Sequence, residues 1–98
     1  MSVPVVIRPD ADSDLESALL WYSRQRAGLG AVFANRVAAT IDRVSETPAL
    51  YGEVAPGVRG APVRRHPHVV YYRVFPDRVE VIAVLHGTRD PDGWRSRS

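Results

Sequence analysis

The chain has 98 residues, with thirteen Lys+Arg against eleven Asp+Glu, a formal charge of +2, 45% hydrophobic and 24% charged residues. This ordinary globular balance excludes a disordered tail, a collagen-like repeat and an acidic activation segment, and the length predicts one domain over residues 1–98. The absence of cysteine excludes disulfides, a thiolate nucleophile and Cys-based zinc sites, and no apolar run reaches the roughly 18–20 residues of a membrane span. The opening residues have no basic region, long apolar stretch or small-residue cleavage site, so a cytoplasmic protein is expected.

Val3-Pro4-Val5-Val6-Ile7 is short, apolar and β-branched, and predicts a strand that Pro4 places at an edge or at its own first residue. Pro9-Asp10 ends it, and Asp10 or Asp12 can cap a helix. Leu15, Ala18, Leu19 and Tyr22 share one face of that helix. Gly28-Leu29-Gly30 breaks it. Phe33, Val37, Ile41 and Val44 then mark one face of a second helix, which Thr47-Pro48 ends. So short a link predicts a helical hairpin. Leu19, Tyr22, Phe33, Val37 and Ile41 are expected to be buried against the sheet.

Tyr51 to Pro62 holds Gly52, Pro56, Gly57, Gly60 and Pro62 and reads as a loop. Strands are predicted at Val63–His66, Val69–Phe75 and Val79–Leu85, the last two forming a hairpin about Pro76-Asp77. Tyr71 and Tyr72 should face opposite sides, one under the helices and one outside. The expected fold is α+β, in the order β-α-α-β-β-β, with the helical hairpin on one face of a small, largely antiparallel sheet.

Few residues suggest bond-breaking chemistry. Gly28-Leu29-Gly30 follows a helix and lacks the third glycine of a dinucleotide loop. No Gly-x-Ser-x-Gly elbow is present. His66, His68 and His86 could in principle hold zinc, but no carboxylate is placed to orient them. Neither a metal nor a cofactor is expected. His86 ends a buried strand and either acts there or pins the polar tail by a hydrogen bond. Trp21 and Tyr22 are neighbours on a helix, so they do not share a face. Tyr22 belongs to the core stripe and Trp21 to its margin.

All thirteen cationic residues are arginine. Each is a planar fork suited to carboxylate or phosphate, and none can act as a lysine base. Eight of them lie in residues 59–98 against four acidic residues, a balance of +4, whereas residues 1–58 carry −2. Arg59, Arg64, Arg65, Arg73 and Arg89 therefore read as a basic platform on the sheet for a phosphate backbone or an acidic partner, with a solvated face as the alternative.

In order and spacing, Pro9-x-Ala11-x-x-Asp14-Leu15, Trp21-Tyr22, Gly28-Leu29-Gly30-x-x-Phe33, Pro48-x-x-Tyr51, Val63-Arg64-Arg65-x-Pro67-His68-x-Val70-Tyr71-Tyr72 and Val79-Glu80-Val81-Ile82-Ala83-Val84-x-His86-x-x-Arg89-Asp90-Pro91-x-x-Trp94 resemble the RelE/ParE toxin superfamily of type II toxin–antitoxin modules. The resemblance implies the fold above, a cognate antitoxin, and a role of the plasmid-stabilisation kind. It is closer to the ParE branch, which implies inhibition of DNA gyrase by binding. No membrane association and no sequence-specific DNA binding by this chain are expected. The alternative is a RelE-like ribosome-dependent mRNA endoribonuclease, for which Arg64, Arg65, His86 and Arg89 are the candidate catalytic residues. Against it, the chain has no lysine, no tyrosine after Tyr72, and Val69 where RelE-like members carry an active arginine. A further alternative is a non-toxic binding module of the same fold. Arg59, Arg64, Arg65, Arg73, Arg89 and Trp94 are the candidates for target or antitoxin binding, with Trp94 expected to dock the tail on the sheet.

Overall fold

The computed structural model describes residues 2–97. In chain order it contains β1 (Val5–Ile7), α1 (Pro9–Gln25), α2 (Leu29–Glu46), β2 (Glu53–Ala55), β3 (Val58–Pro62), β4 (His68–Val74), β5 (Val79–His86) and a short 3-10 turn (Arg95–Arg97). Helix α1 begins two residues earlier than an Asp10 cap requires, with Arg8 at the N-cap position. Pro9 is its first residue, where a missing N–H costs nothing. Asp10 and Asp12 lie within the first turn, where they complement the helix dipole, and no side chain caps the end. Between the helices, Gly28 adopts a left-handed φ of 90°, a conformation a side chain disfavours. Gly30 allows the helices to meet, since a Cβ there would lie 2.2 Å from Ser23 Oγ and 3.1 Å from the Leu19 carbonyl oxygen.

The sheet has the order β1-β5-β4-β3-β2. β1 is an edge strand parallel to β5, and all other pairs are antiparallel. The segment 51–62, read from sequence as a loop, contains the β2–β3 hairpin, with Pro56-Gly57 as its turn and Gly57 at φ 78°. The strand expected at Val63–His66 is instead a turn. Val63 donates to the His68 carbonyl and His66 donates back to that of Val63, which reverses the chain within a few residues. The fold is thus the expected one with one strand more, and its third strand lies five residues earlier.

Two clusters cover the two faces of the sheet. Phe33, Val37, Val44, Ala61, Val70, Tyr72, Val79, Val81 and Val84 pack between the helices and the sheet. Val58, Tyr71, Ile82, Ala83 and Trp94 pack on the other face. Tyr71 pairs with Ala83 and Tyr72 with Val81, leaving Ile82 as the extra residue of a bulge in β5. The bulge puts Ile82 and Ala83 on the same face and returns Val84 to the helix side. Tyr71 and Tyr72 do face opposite ways, but both are buried, because the C-terminal tail brings Trp94 onto Tyr71 with ring centroids 5.6 Å apart. Leu19, expected in the core, is 37% exposed. It stands beside the open crevice between the helices instead of under them.

Beyond Ile7, β1 no longer covers the edge of β5. Asp14 of α1 accepts the Val84 N–H at 3.0 Å, and Arg97 holds Asp14 through both guanidinium nitrogens while reaching the Ile82 carbonyl at 3.4 Å. Arg8 donates to the Arg97 carbonyl at 2.8 Å and to Glu80 at 2.7 Å. Side chains therefore close an edge that a partner strand could otherwise extend.

Candidate functional site

The first feature is an apolar groove of about 370 Å³ between the helices, lined by Ile7, Leu15, Leu19, Phe33, Val37 and Ile41, with Asp12 and Glu16 also contributing to its walls. The stripes that give each helix its core face also line this groove, because two helices cannot cover their whole apolar arc on one small sheet. Leu20, Trp21 and Val32 add further exposed apolar surface on the hairpin. A helical or extended apolar segment is the chemistry that such a surface accepts.

The second is a cleft of about 460 Å³ where α1 meets the ends of β4 and β5, lined in part by Asp14, Trp21, Tyr22, His68, His86 and Arg89. Trp21 is half exposed and stands edge-on to Tyr22, which stacks on Phe33 at 4.9 Å. His86 Nδ1 accepts the backbone N–H groups of Thr88 and Arg89 at 3.1 and 3.0 Å. Backbone N–H groups only donate, so this nitrogen is the acceptor in both bonds. His86 pins the turn that presents Arg89. His68 packs against Phe33, Tyr22 and His86, and its Nδ1 is buried without a partner among the described residues. Burial first, then the neighbouring His86 and His66, hold the His68 pKa below its ordinary value.

The third is a basic cleft of about 360 Å³, lined by Asn35, Arg36, Ala39 and Arg43 of α2 and by Arg64 and Arg65 of the β3–β4 turn. Arg36 and Arg43, spaced seven apart on α2, were not singled out from the sequence. Their signal is that spacing, on a side of the helix away from the Phe33–Val37–Ile41 stripe.

The arginines expected to share one platform are divided by the fold. Arg64 and Arg65 line the cleft beside α2, whereas His86 and Arg89 line the one beside α1, so the four nuclease candidates do not meet in one cleft. Arg59 is tied to the Tyr51 carbonyl at 2.6 Å and lies 3.9 Å from Glu53. Arg73, on the opposite face from Arg59 by strand alternation, is half-buried beside Gly57. Trp94 is 3% exposed, its Nε1 donating to the Pro91 carbonyl at 2.9 Å, so its ring is turned into the sheet. No group of three or more His, Asp or Glu among the described residues could hold a metal ion, and no described helix is long and apolar enough to cross a membrane.

The sequence and the fold fit a known group. A family model described as the ParE toxin of type II toxin–antitoxin systems, parDE, matches residues 5–91. The chain belongs to the ParE toxin family. This ParE-family chain also resembles two solved structures. One is from the chromosomal ParDE system of P. aeruginosa, with TM-score 0.74 and 17% identity over 87% of this chain and 96% of that one. The other is a mutant of the E. coli toxin RelE in the free state, with TM-score 0.71 and 17% identity over 99% of this chain and 94% of that one. At such identity these likenesses establish the fold alone, and the fold is shared by both branches. Among curated proteins there is no sequence match.

Proposed function

We propose that this chain, working as one domain in the cytoplasm, is a ParE-like toxin that inhibits DNA gyrase by binding and is neutralised by a cognate antitoxin. The observation that carries the reading is the family match over residues 5–91. The disposition of the polar residues supports it. RNA cleavage through the 2′-hydroxyl needs a base, an acid and cations about one phosphate. Here Arg64 and Arg65 lie in a different cleft from His86 and Arg89, and His86 Nδ1 is taken up in accepting two backbone N–H groups. A binding surface needs no such convergence.

The antitoxin is assigned to the groove between α1 and α2, whose apolar walls lie beside the carboxylates Asp12 and Glu16. An amphipathic segment with a basic flank fits that lining, and it would gain its affinity by burying Leu19 and its neighbours. Expression of the chain alone in a bacterial host is expected to arrest growth, and co-expression of the antitoxin to restore it. Normal growth at good soluble expression would instead support the non-toxic binding module.

A further inference from the structure

We propose that Arg36, Arg43, Arg64 and Arg65 form a sequence-independent site for the phosphodiester backbone of duplex DNA. The four converge from two elements on the cleft that Asn35 and Ala39 complete. Arg36 and Arg43 lie two helical turns apart, about 10 Å along the axis, with the small Ala39 between them. Among the described residues none of the four forms an ion pair. Arg8, Arg59, Arg78, Arg95 and Arg97 each do, and Arg24, Arg26, Arg73 and Arg89, which also form none, do not line this cleft. Asp42 and Glu46 are on the same helix as Arg36 and Arg43 and make no ion pair with either. Four like charges gathered without counter-charges favour a polyanion, and guanidinium forks match phosphate oxygens.

The lining selects among polyanions. It has no aromatic ring, and Ala39 is its one apolar side chain. Single strands are held by stacking bases on aromatic rings and most peptide segments by apolar anchors, whereas an acidic peptide would use arginines alone and is therefore an arm of the test. A duplex turns its bases inward and presents phosphates, so it asks only for well-placed donors and charge. Arg65 adds a second observation. Its φ of 62° is left-handed, and it is the one described residue other than glycine with a positive φ. Glycine or asparagine fits that backbone more easily, so an arginine there is not explained by the needs of the turn. The inference is independent of the gyrase reading, because it is measured on the isolated chain with DNA alone.

The test is fluorescence anisotropy of the purified full chain with a labelled random-sequence duplex of about 20 base pairs, between about 50 and 200 mM salt. Binding is expected to weaken with salt at a log–log slope of about −3 to −4, as four phosphate contacts require. The variant R64Q/R65G is expected to bind at least about tenfold more weakly at the lowest salt, with the slope reduced by about two. Its unfolding midpoint should be equal or higher, since Arg65→Gly relaxes the backbone, so a loss of binding cannot be blamed on unfolding. The control R24Q/R26Q removes the same charge from the end of α1 and should stay within about twofold of the parent. The proposal is overturned if the parent shows no salt-dependent binding, if the two double variants lose affinity equally, or if single-stranded RNA or poly-glutamate binds more tightly than the duplex.

Discussion

Phe33 lies at the centre of the helix–sheet contact, fully buried, with Tyr22 stacked on it and His66 and His68 against its edge. Phe33→Ala removes that ring and leaves a cavity that the surrounding β-strands cannot close. Chemical denaturation is expected to show a loss of about 3–5 kcal/mol. A loss below about 1 kcal/mol would place Phe33 on a surface. His68 makes stability depend on pH. Its folded pKa is held below the ordinary 6.5, so below pH 6.5 the unfolded chain binds more protons than the folded one. The sign follows directly: this contribution to stability is complete above pH 6.5 and is lost as pH falls through 6.5 toward the folded value. His68→Phe should flatten the dependence in that window. Glu80, held below its usual pKa chiefly by hydrogen bonds from Arg8 and Arg78, acts in a separate and more acidic window. An unchanged pH profile in His68→Phe would show that His68 is solvated.

Among the elements, those with one clear period were legible in the sequence. Both helices, β4 and β5 follow from their apolar spacing and their Gly or Pro boundaries. The β2–β3 hairpin was not legible, because the five glycines and prolines from Gly52 to Pro62 look like loop chemistry while four of them serve as turn and strand residues. The bulge at Ile82 lies in a continuous apolar run, where a period of two cannot be read. The candidate site was legible only in part. Arg64, Arg65, His86 and Arg89 were found as residue types, but their division between two clefts depends on which helix each turn packs beside. Two elements give predictions of their own. Trp94→Ala should cost about 3–5 kcal/mol, because the ring is the tail's buried contact with Tyr71. A variant with unchanged stability that had lost only toxicity would instead place target binding at the tail. Leu19→Glu, in the exposed wall of the groove, should change stability by less than about 0.5 kcal/mol. It should nevertheless abolish co-purification with the antitoxin. Retained co-purification would remove the groove from the antitoxin interface.

At the scale of the whole molecule, charge and apolar surface are arranged on separate parts of the fold. The apolar groove lies between the helices, the basic cleft beside α2, and the mixed cleft of His68, His86 and Arg89 at the end of α1. The sheet beneath them is closed, at its β5 edge by β1 and the Arg97–Asp14 pair and on its outer face by Trp94. Such a molecule can engage a target and an antitoxin through different surfaces without assembling an acid and a base around one phosphate. The most direct measurement of that claim runs gyrase supercoiling and mRNA cleavage on translating ribosomes with one preparation of the protein. Inhibited supercoiling, or accumulated cleaved gyrase–DNA complexes, with intact mRNA is the predicted result. Ribosomal mRNA cleavage that disappears in His86→Ala or Arg89→Ala, with supercoiling unaffected, would contradict it.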